Sequence, residues 1–156
     1  MNSLCDWNSR GVSLAWATGY GSVGTREYLY FGACEGCPTE ANPDWDPNGD
    51  WTLEDVYQMS DGKYLAETFP QIYATDGANA EQWYYLSWYA LLNHEYPLTI
   101  QGSLTQWNAC LERPQKCDLN TNNKPEEGWM QLWNSLHKSP ATIRPLDWST
   151  DISWQN

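Results

Sequence analysis

Two carboxylates follow predicted strands, where an α/β chain would place catalytic groups. Asp76 ends one predicted strand and Glu35 follows another, and in parallel α/β folds functional residues collect at the carboxyl ends of strands. Hydrolysis of a glycosidic bond usually needs two carboxyl groups about 5–10 Å apart, one as an acid and one as a base or nucleophile. We therefore predict Asp76 as an acid/base with Glu35 as its partner. The alternative for Asp76, which precedes Gly77, is ordinary turn chemistry.

The aromatic composition favours carbohydrate as the ligand. The chain has 11 Trp and 10 Tyr but only 2 Phe, and Trp and Tyr add a polar group to a large flat face. Such faces stack on the C–H faces of sugar rings, and they also serve other wet binding surfaces. The residues predicted to bind a substrate are Trp16, Tyr20, Trp45, Trp51, Gln101, Gln106 and Trp107. Those predicted to pack in the core are Trp83, Trp88, Trp129, Trp133, Trp148 and Trp154.

Residues 44–55 resemble a calcium loop of the EF-hand or dockerin kind, because oxygen-bearing side chains alternate around a glycine. The ligands that this resemblance implies are Asp44, Asp46, Asn48, Asp50 and Asp55, with Gly49 at the turn. Calcium is the only cofactor predicted. Pro47 departs from the pattern, and the missing second copy argues against dockerin function. The alternative is an acidic surface loop that precedes a helix.

The cysteines predict two local disulfides. Cys34 and Cys37 are separated by Glu-Gly, and Cys110 and Cys117 bracket a short polar loop. Local disulfides that staple loops are frequent in secreted proteins, so we expect an extracellular or cell-surface location. Free thiols and a zinc site are the alternatives, although the second spacing is too long for a zinc ribbon. Cys5 is left over.

Charge and hydropathy exclude several classes of partner. The net charge is −12, from 8 basic and 20 acidic residues, which argues against nucleic acid and anionic membranes. No apolar run approaches the ~20 residues of a membrane span. The first residues lack the basic and apolar regions of a signal peptide. We therefore expect either a cytosolic protein or a mature domain, and the cysteines favour the second.

The order of predicted elements indicates one α/β domain over residues 1–156. Strands are predicted at 11–17, 27–33, 68–75, 98–104 and 148–154, and helices at 53–60, 80–94 and 125–138. Alternating strands and helices favour βαβ units and a largely parallel sheet. The chain is shorter than the about 250 residues of a complete barrel. We predict a partial or complete (βα)-barrel-like domain.

A family resemblance is consistent with that architecture. The runs that begin at Trp51 (WTLEDVY), Phe69 (FPQIYATDG), Asn79 (NAEQWY) and Gly102 (GSLTQW) resemble the C-terminal half of secreted bacterial barrels related to glycoside hydrolases. Active barrels of the muramidase-like kind carry Asp-x-Glu acids on a central strand, and the matching strand at 13–16 has none. The resemblance thus implies a missing N-terminal half or partner chain, or a domain that binds without cleaving.

These observations predict an extracellular domain that engages carbohydrate. One hypothesis is a glycoside-hydrolase-like enzyme. The alternative is a non-catalytic module that binds carbohydrate, is stabilised by calcium or serves as a structural subunit. The sequence names neither the sugar nor the linkage.

Overall fold

A computed structural model of the chain describes residues 10–24, 27–44, 51–61 and 66–153. The helices in these ranges are α1 (Arg10–Val23), α2 (Leu53–Ser60), α3 (Ala78–His94), α4 (Trp107–Glu112) and α5 (Pro125–Leu136). The strands are β1 (Tyr28–Tyr30), β2 (Ala66–Thr68), β3 (Gly102–Thr105) and β4 (Trp148–Asp151). Two 3-10 turns, Pro114–Lys116 and Leu119–Thr121, follow α4.

The strands form short parallel sheets in the order of the sequence. Strand β1 pairs with β2, and β3 pairs with β4, both in parallel. Two isolated parallel bridges, Thr68 to Ile100 and Gln71 to Leu104, join the two pairs. The mixed helix-and-strand class and the parallel pairing are thus confirmed, while the described strands do not close into a barrel.

Local capping explains where helix α2 begins. The Thr52 side chain accepts from the Asp55 backbone N–H at 3.2 Å, and the Asp55 carboxylate accepts from the Thr52 N–H at 2.8 Å. This reciprocal capping box satisfies backbone donors that the first turn leaves unpaired. The predicted helix at 53–60 and its cap are confirmed.

Helix α3 begins two residues earlier than predicted. Gly77 precedes it with a φ of 86°, a left-handed conformation that glycine adopts without a steric penalty. Asn79 lies inside the helix, and its Oδ1 accepts from the backbone N–H groups of Tyr73 and Ala74 at 3.1 and 2.8 Å. Asn79 therefore ties the end of the preceding extended segment to α3.

The strand predicted at 11–17 is wrong, because these residues belong to helix α1. Serine and glycine are weak helix formers, so local propensity does not dictate this helix. Tertiary contacts stabilise the helix instead. Leu14 and Ala17 lie three residues apart on one helical face, and both pack against the main core. Arg10, at the first turn, forms an ion pair with Asp55 of α2.

The main core lies between the helices and one face of the sheet. Its largest fully buried apolar side chains are Ile72, Trp83, Leu86, Leu98, Leu132 and Leu136. Tyr73 belongs to a second, smaller cluster with Phe69, Leu104 and Ile152. The core prediction holds for Trp83, while Trp148 is 62% exposed and was wrongly placed in the core. Trp154 lies outside the described residues.

Both predicted disulfides are present. Cys34 pairs with Cys37 and Cys110 with Cys117, with a Cα–Cα separation of 5.4 Å in each case. Cys34, Cys37 and Cys110 are buried. The first disulfide therefore contributes to the core beside the end of β1, and the second ties α4 to the loop that follows it.

Candidate functional site

Three aromatic side chains meet at the surface beside helix α1, and we call them the aromatic cluster: Trp16, Tyr20 and Tyr28. Helix α1 places Trp16 and Tyr20 one turn apart on the same face. Their rings are nearly parallel, at 22°, with centroids 5.6 Å apart. Tyr28, the first residue of β1, lies edge-on to both rings at 5.3 Å.

The aromatic cluster is held in place yet remains accessible. The Tyr28 hydroxyl donates to the Met59 carbonyl at 3.0 Å, which fixes its ring beneath the other two. Trp16 is 55% exposed. Beyond Arg10, helix α1 has no charged residue. The cluster therefore offers an exposed aromatic surface that can stack on another flat, weakly polar face.

Trp16 and Tyr20 were predicted at a different position in the fold. Both were expected at the end of a strand, and the structure places them on a helix near the amino-terminal end of β1. Their spacing of four residues was the signal for adjacency, but only on a helix. Tyr28 was not selected.

The two proposed catalytic carboxylates lie at the surface in loops. The Asp76 Oδ1 atom accepts from the Ala78 N–H at 3.0 Å, which is the turn geometry given as its alternative role. Glu35 is exposed within the loop that the Cys34–Cys37 disulfide closes. No hydrogen bond joins Asp76 to Glu35 among the described residues. Their catalytic roles remain predictions.

Asp151 organises the carboxyl ends of β3 and β4, and sequence reasoning did not select it. Its Oδ1 accepts from the Thr105 hydroxyl at 2.8 Å and from the Trp107 N–H at 2.7 Å. Its Oδ2 accepts from the Asn108 N–H at 2.6 Å. The carboxylate thus caps helix α4 and ties it to the last strand. The alternation in β4 was the available signal, since it placed Asp151 on the polar face.

The other residues predicted at strand ends differ in where the structure places them. Gln106 follows β3 as expected, but its amide donates to the Thr121 carbonyl at 2.8 Å and so holds a loop. Trp107 is half-buried, with the Lys124 ammonium 5.4 Å from its ring centroid. Gln101 was misplaced: it precedes β3, so it lies away from the carboxyl end of that strand.

The prediction that Trp51 contacts a sugar is not consistent with its position in the structure. It was expected to be an exposed loop residue, but it is 3% exposed and belongs to the main core. The loop composition concealed this, because burial depends on tertiary packing that a short stretch of sequence does not specify. Trp45 lies outside the described residues.

The predicted calcium loop lies only partly within the described residues. Asp46, Asn48 and Asp50 lie outside the described residues, and Asp44 is exposed. Asp55 accepts hydrogen bonds from Arg10 Nε at 2.7 Å and from Arg10 Nη2 at 3.0 Å. Burial raises the pKa of Asp55, but hydrogen bonds from Arg10 and Thr52 outweigh it and lower that pKa. Asp55 therefore already serves as a cap and ion-pair partner. No three acidic, His or Cys side chains converge on a metal position within the described residues.

Two further polar groups escaped the sequence analysis. Tyr73 is buried, and its hydroxyl has no hydrogen-bond partner among the described residues. Burial, and then the charge of Asp151, raises the pKa of Tyr73, so the hydroxyl stays protonated.

Between α2 and α3, the Glu54 carboxylate lies 2.8 Å from His94 Nε2 and accepts from the Tyr89 hydroxyl at 3.0 Å. This second arrangement links the two helices.

None of the helices in the described ranges combines the length and the apolar character needed to cross a membrane. The two disulfides are consistent with an extracellular protein. Comparison with known proteins adds no relative: no family model matches the chain, and neither a curated protein nor a solved structure matches it significantly.

Proposed function

We propose that this protein is a carbohydrate-binding module without hydrolytic activity, and that the aromatic cluster is its sugar site. One observation carries the proposal. Trp16 keeps 55% of its surface exposed although it stands in an ordered arrangement with Tyr20 and Tyr28. Exposed aromatic groups that are fixed in place are typical of binding surfaces, because ordering them in advance lowers the entropy cost of binding.

The carboxylates support binding rather than cleavage. Asp76 accepts from a backbone N–H in a turn, and Asp151 accepts three hydrogen bonds as a helix cap. Hydrolysis needs one carboxyl group that can give up a proton to the leaving group. Both carboxylates accept hydrogen bonds from groups of the fold itself, which is what a turn residue or a helix cap does.

The proposed relation to glycoside-hydrolase-like barrels rests on the sheet. The parallel strands in sequence order, with helices between them, are the arrangement expected of half a (βα) barrel. This supports the relation without extending to an active site. Extracellular location and calcium binding at 44–55 remain part of the proposal.

The test is a glycan-array screen with purified protein, followed by titration of each hit through intrinsic Trp fluorescence. We expect Trp16→Ala to abolish binding. Trp148→Ala is the matched control, because Trp148 is also exposed but lies on β4, outside the aromatic cluster. Absence of binding to every glycan, or loss of binding in the control alone, would overturn the proposed site.

Two additions to the screen separate the other hypotheses. Glycan release from any hit, measured with the protein and with Asp76→Asn, tests hydrolysis: release that depends on Asp76 would replace the binding module with an enzyme. A melting scan with calcium and with chelator tests the loop at 44–55. Identical melting temperatures would remove calcium from the proposal.

A further inference from the structure

We propose that two copies of this chain associate through their sheets, with strand β1 of each copy beside strand β4 of the other. The surface that carries the proposal is the side of the sheet opposite the main core, which we call the open face, together with the two outer strands. This inference goes beyond the proposed sugar site, because it concerns a different surface and a protein partner.

The described strands form one parallel sheet in the order β1, β2, β3, β4. The pairs β1–β2 and β3–β4 are parallel, and the parallel bridges from Thr68 to Ile100 and from Gln71 to Leu104 join them. Among the described residues, no further strand pairs with the outer side of β1 or of β4. Such an outer strand presents backbone N–H and C=O groups that can pair with the strand of another chain.

Apolar side chains of β1 lie on the open face. Tyr30 belongs to the main core, so its neighbour Leu29 points to the opposite side of the sheet. Phe31 lies on the open face as well, because its ring centroid is 5.5 Å from that of Phe69, a member of the second, smaller cluster. The β1 edge of the open face is therefore apolar.

Strand β4 contributes Trp148 to the same face. The hydroxyl of the next residue, Ser149, donates to the Pro125 carbonyl at the start of α5 at 2.8 Å, which places Ser149 on the helix side. Successive strand residues point to opposite sides, so Trp148 lies on the open face. Ile152, which follows β4, packs against the second cluster on this face. The β4 edge is therefore apolar too.

The exposed apolar side chains of the open face lie at its two edges. Leu29 and Trp148 are 48% and 62% exposed, whereas Phe69 and Leu104, between the edges, are 5% and 7% exposed. Parallel sheets occur almost only where both faces are covered. The exposure thus falls where the side chains of a further neighbouring strand would lie.

A second copy supplies both neighbouring strands at once. A two-fold rotation about an axis along the strands keeps all strands parallel and brings β4 of each copy beside β1 of the other. Four strands from each chain make the eight at which a parallel sheet closes into a barrel. This dimer has two identical junctions and no outer strand, as closed two-fold symmetry allows. An unrelated partner would have to match the two edges separately.

The test is the mass of the full chain in solution, measured by size-exclusion chromatography with light scattering over a range of concentrations. The buffer contains about 0.5 M salt, so that the net charge of −12 on each copy is screened. We expect the mass to rise with concentration to twice the 18.0 kDa of one chain. A mass that stays at one chain up to the limit of solubility would overturn the inference, since something else would then cover the open face.

Variants at the two edges test which surfaces meet. Leu29→Asp and Trp148→Asp should each raise the dissociation constant of the dimer at least about tenfold, because each substitution affects both junctions. Leu92→Asp is the matched control and should leave the constant unchanged, since Leu92 is 68% exposed but lies on helix α3. Circular dichroism checks that each variant is folded. A dimer that both edge variants leave intact, or that the control weakens equally, would contradict the proposal.

Mixing two variants tests the pairing of β1 with β4. In a mixture of Leu29→Asp and Trp148→Lys chains, a mixed dimer has one wild-type junction and one junction where opposite charges meet. The mixed dimer should therefore form more tightly than the dimer of either variant alone, and equal or weaker association would rule out this pairing. Glycan binding through Trp16 is a separate readout, so failure of the sugar site leaves these results unchanged.

Discussion

Helices α1 and α5 both stack aromatic rings one turn apart, but they use them differently. In α5, Trp129 and Trp133 lie at 13° with centroids 5.1 Å apart, close to the geometry of Trp16 and Tyr20. His137 extends the α5 stack, 3.8 Å from the Trp133 ring. The α5 rings pack against the main core, whereas Trp16 of α1 is largely exposed.

The difference lies in what surrounds each stack. The Trp129 Nε1–H donates to the Leu146 carbonyl at 3.2 Å, and His137 Nδ1–H donates to the Trp133 carbonyl at 2.8 Å. The chain that leads into β4 thus contacts the α5 stack at Trp129. An i, i+4 pair of aromatic residues therefore sets ring spacing, while the rest of the fold decides whether the rings pack against the core or remain exposed.

The largest loss of stability is expected from Trp133→Ala. Its ring lies between Trp129 and His137 against the core, so truncation should lower the free energy of unfolding by about 3 kcal/mol. Trp16→Ala should cost less than about 1 kcal/mol, as is usual for exposed residues. Urea denaturation followed by circular dichroism measures both. Equal losses would show that α1 and α5 use their aromatic rings in the same way.

The second-largest loss of stability is expected at Asp55, which attaches helix α1 to helix α2. Asp55→Asn removes the charge that holds Arg10 and weakens the cap of α2, and should cost about 1–2 kcal/mol. The folded pKa of Asp55 is lowered, so its contribution is present above the unfolded value of 3.8 and is lost as the pH falls below it. Hydrogen exchange should show α1 opening in acid before α5.

Simultaneous opening of α1 and α5 in acid would contradict this prediction. In that case the Arg10–Asp55 pair would not determine the attachment of α1. Glu127→Gln is the matched control, since Glu127 accepts from the Lys124 N–H at the start of α5. It should weaken α5 and leave α1 unchanged.

Asp61, at the other end of α2, should change the pH dependence of stability in the opposite direction to Asp55. Burial raises its pKa to about 6, although the Thr99 N–H donates to it at 2.7 Å. The folded state therefore holds this proton more tightly than the unfolded state does. Its stabilising contribution is complete below pH 3.8 and disappears as the pH rises through about 6. Asp61→Asn should raise the melting temperature at pH 7 and flatten its dependence between those pH values. A melting temperature below that of the wild type at pH 7 would contradict this.

The smallest effect is expected outside both stacks, at Tyr73. Tyr73→Phe removes a buried hydroxyl without a described partner and keeps the ring against Phe69 and Leu104. Stability should stay the same or rise by about 1 kcal/mol. A loss above about 1 kcal/mol would reveal a hydrogen bond to that hydroxyl. This variant also sets the baseline for ring substitutions that leave packing intact.

Much of the architecture could be predicted, but less of the site. Helices α2, α3 and α5 were predicted in the right places, although α3 begins two residues earlier than expected, because apolar periodicity acts over a few positions. The parallel pairing followed from the alternation of strands and helices. Trp16 and Tyr20 were predicted at the end of a strand, and they lie on helix α1. Trp51 was selected as exposed and is buried, and Asp151 was overlooked. In each of these cases the contacts that decide the outcome come from distant segments.

The sequence by itself determined the local features. The Thr52–Asp55 capping box spans three residues, and the disulfides span three and seven, so their partners are close in any compact conformation. Only the tertiary structure decided that residues 10–23 form a helix. The Arg10–Asp55 pair joins residues 45 apart in the chain, and Asp151 reaches Trp107 across 44. Contacts over such separations depend on how whole helices pack, which no short pattern of residues encodes.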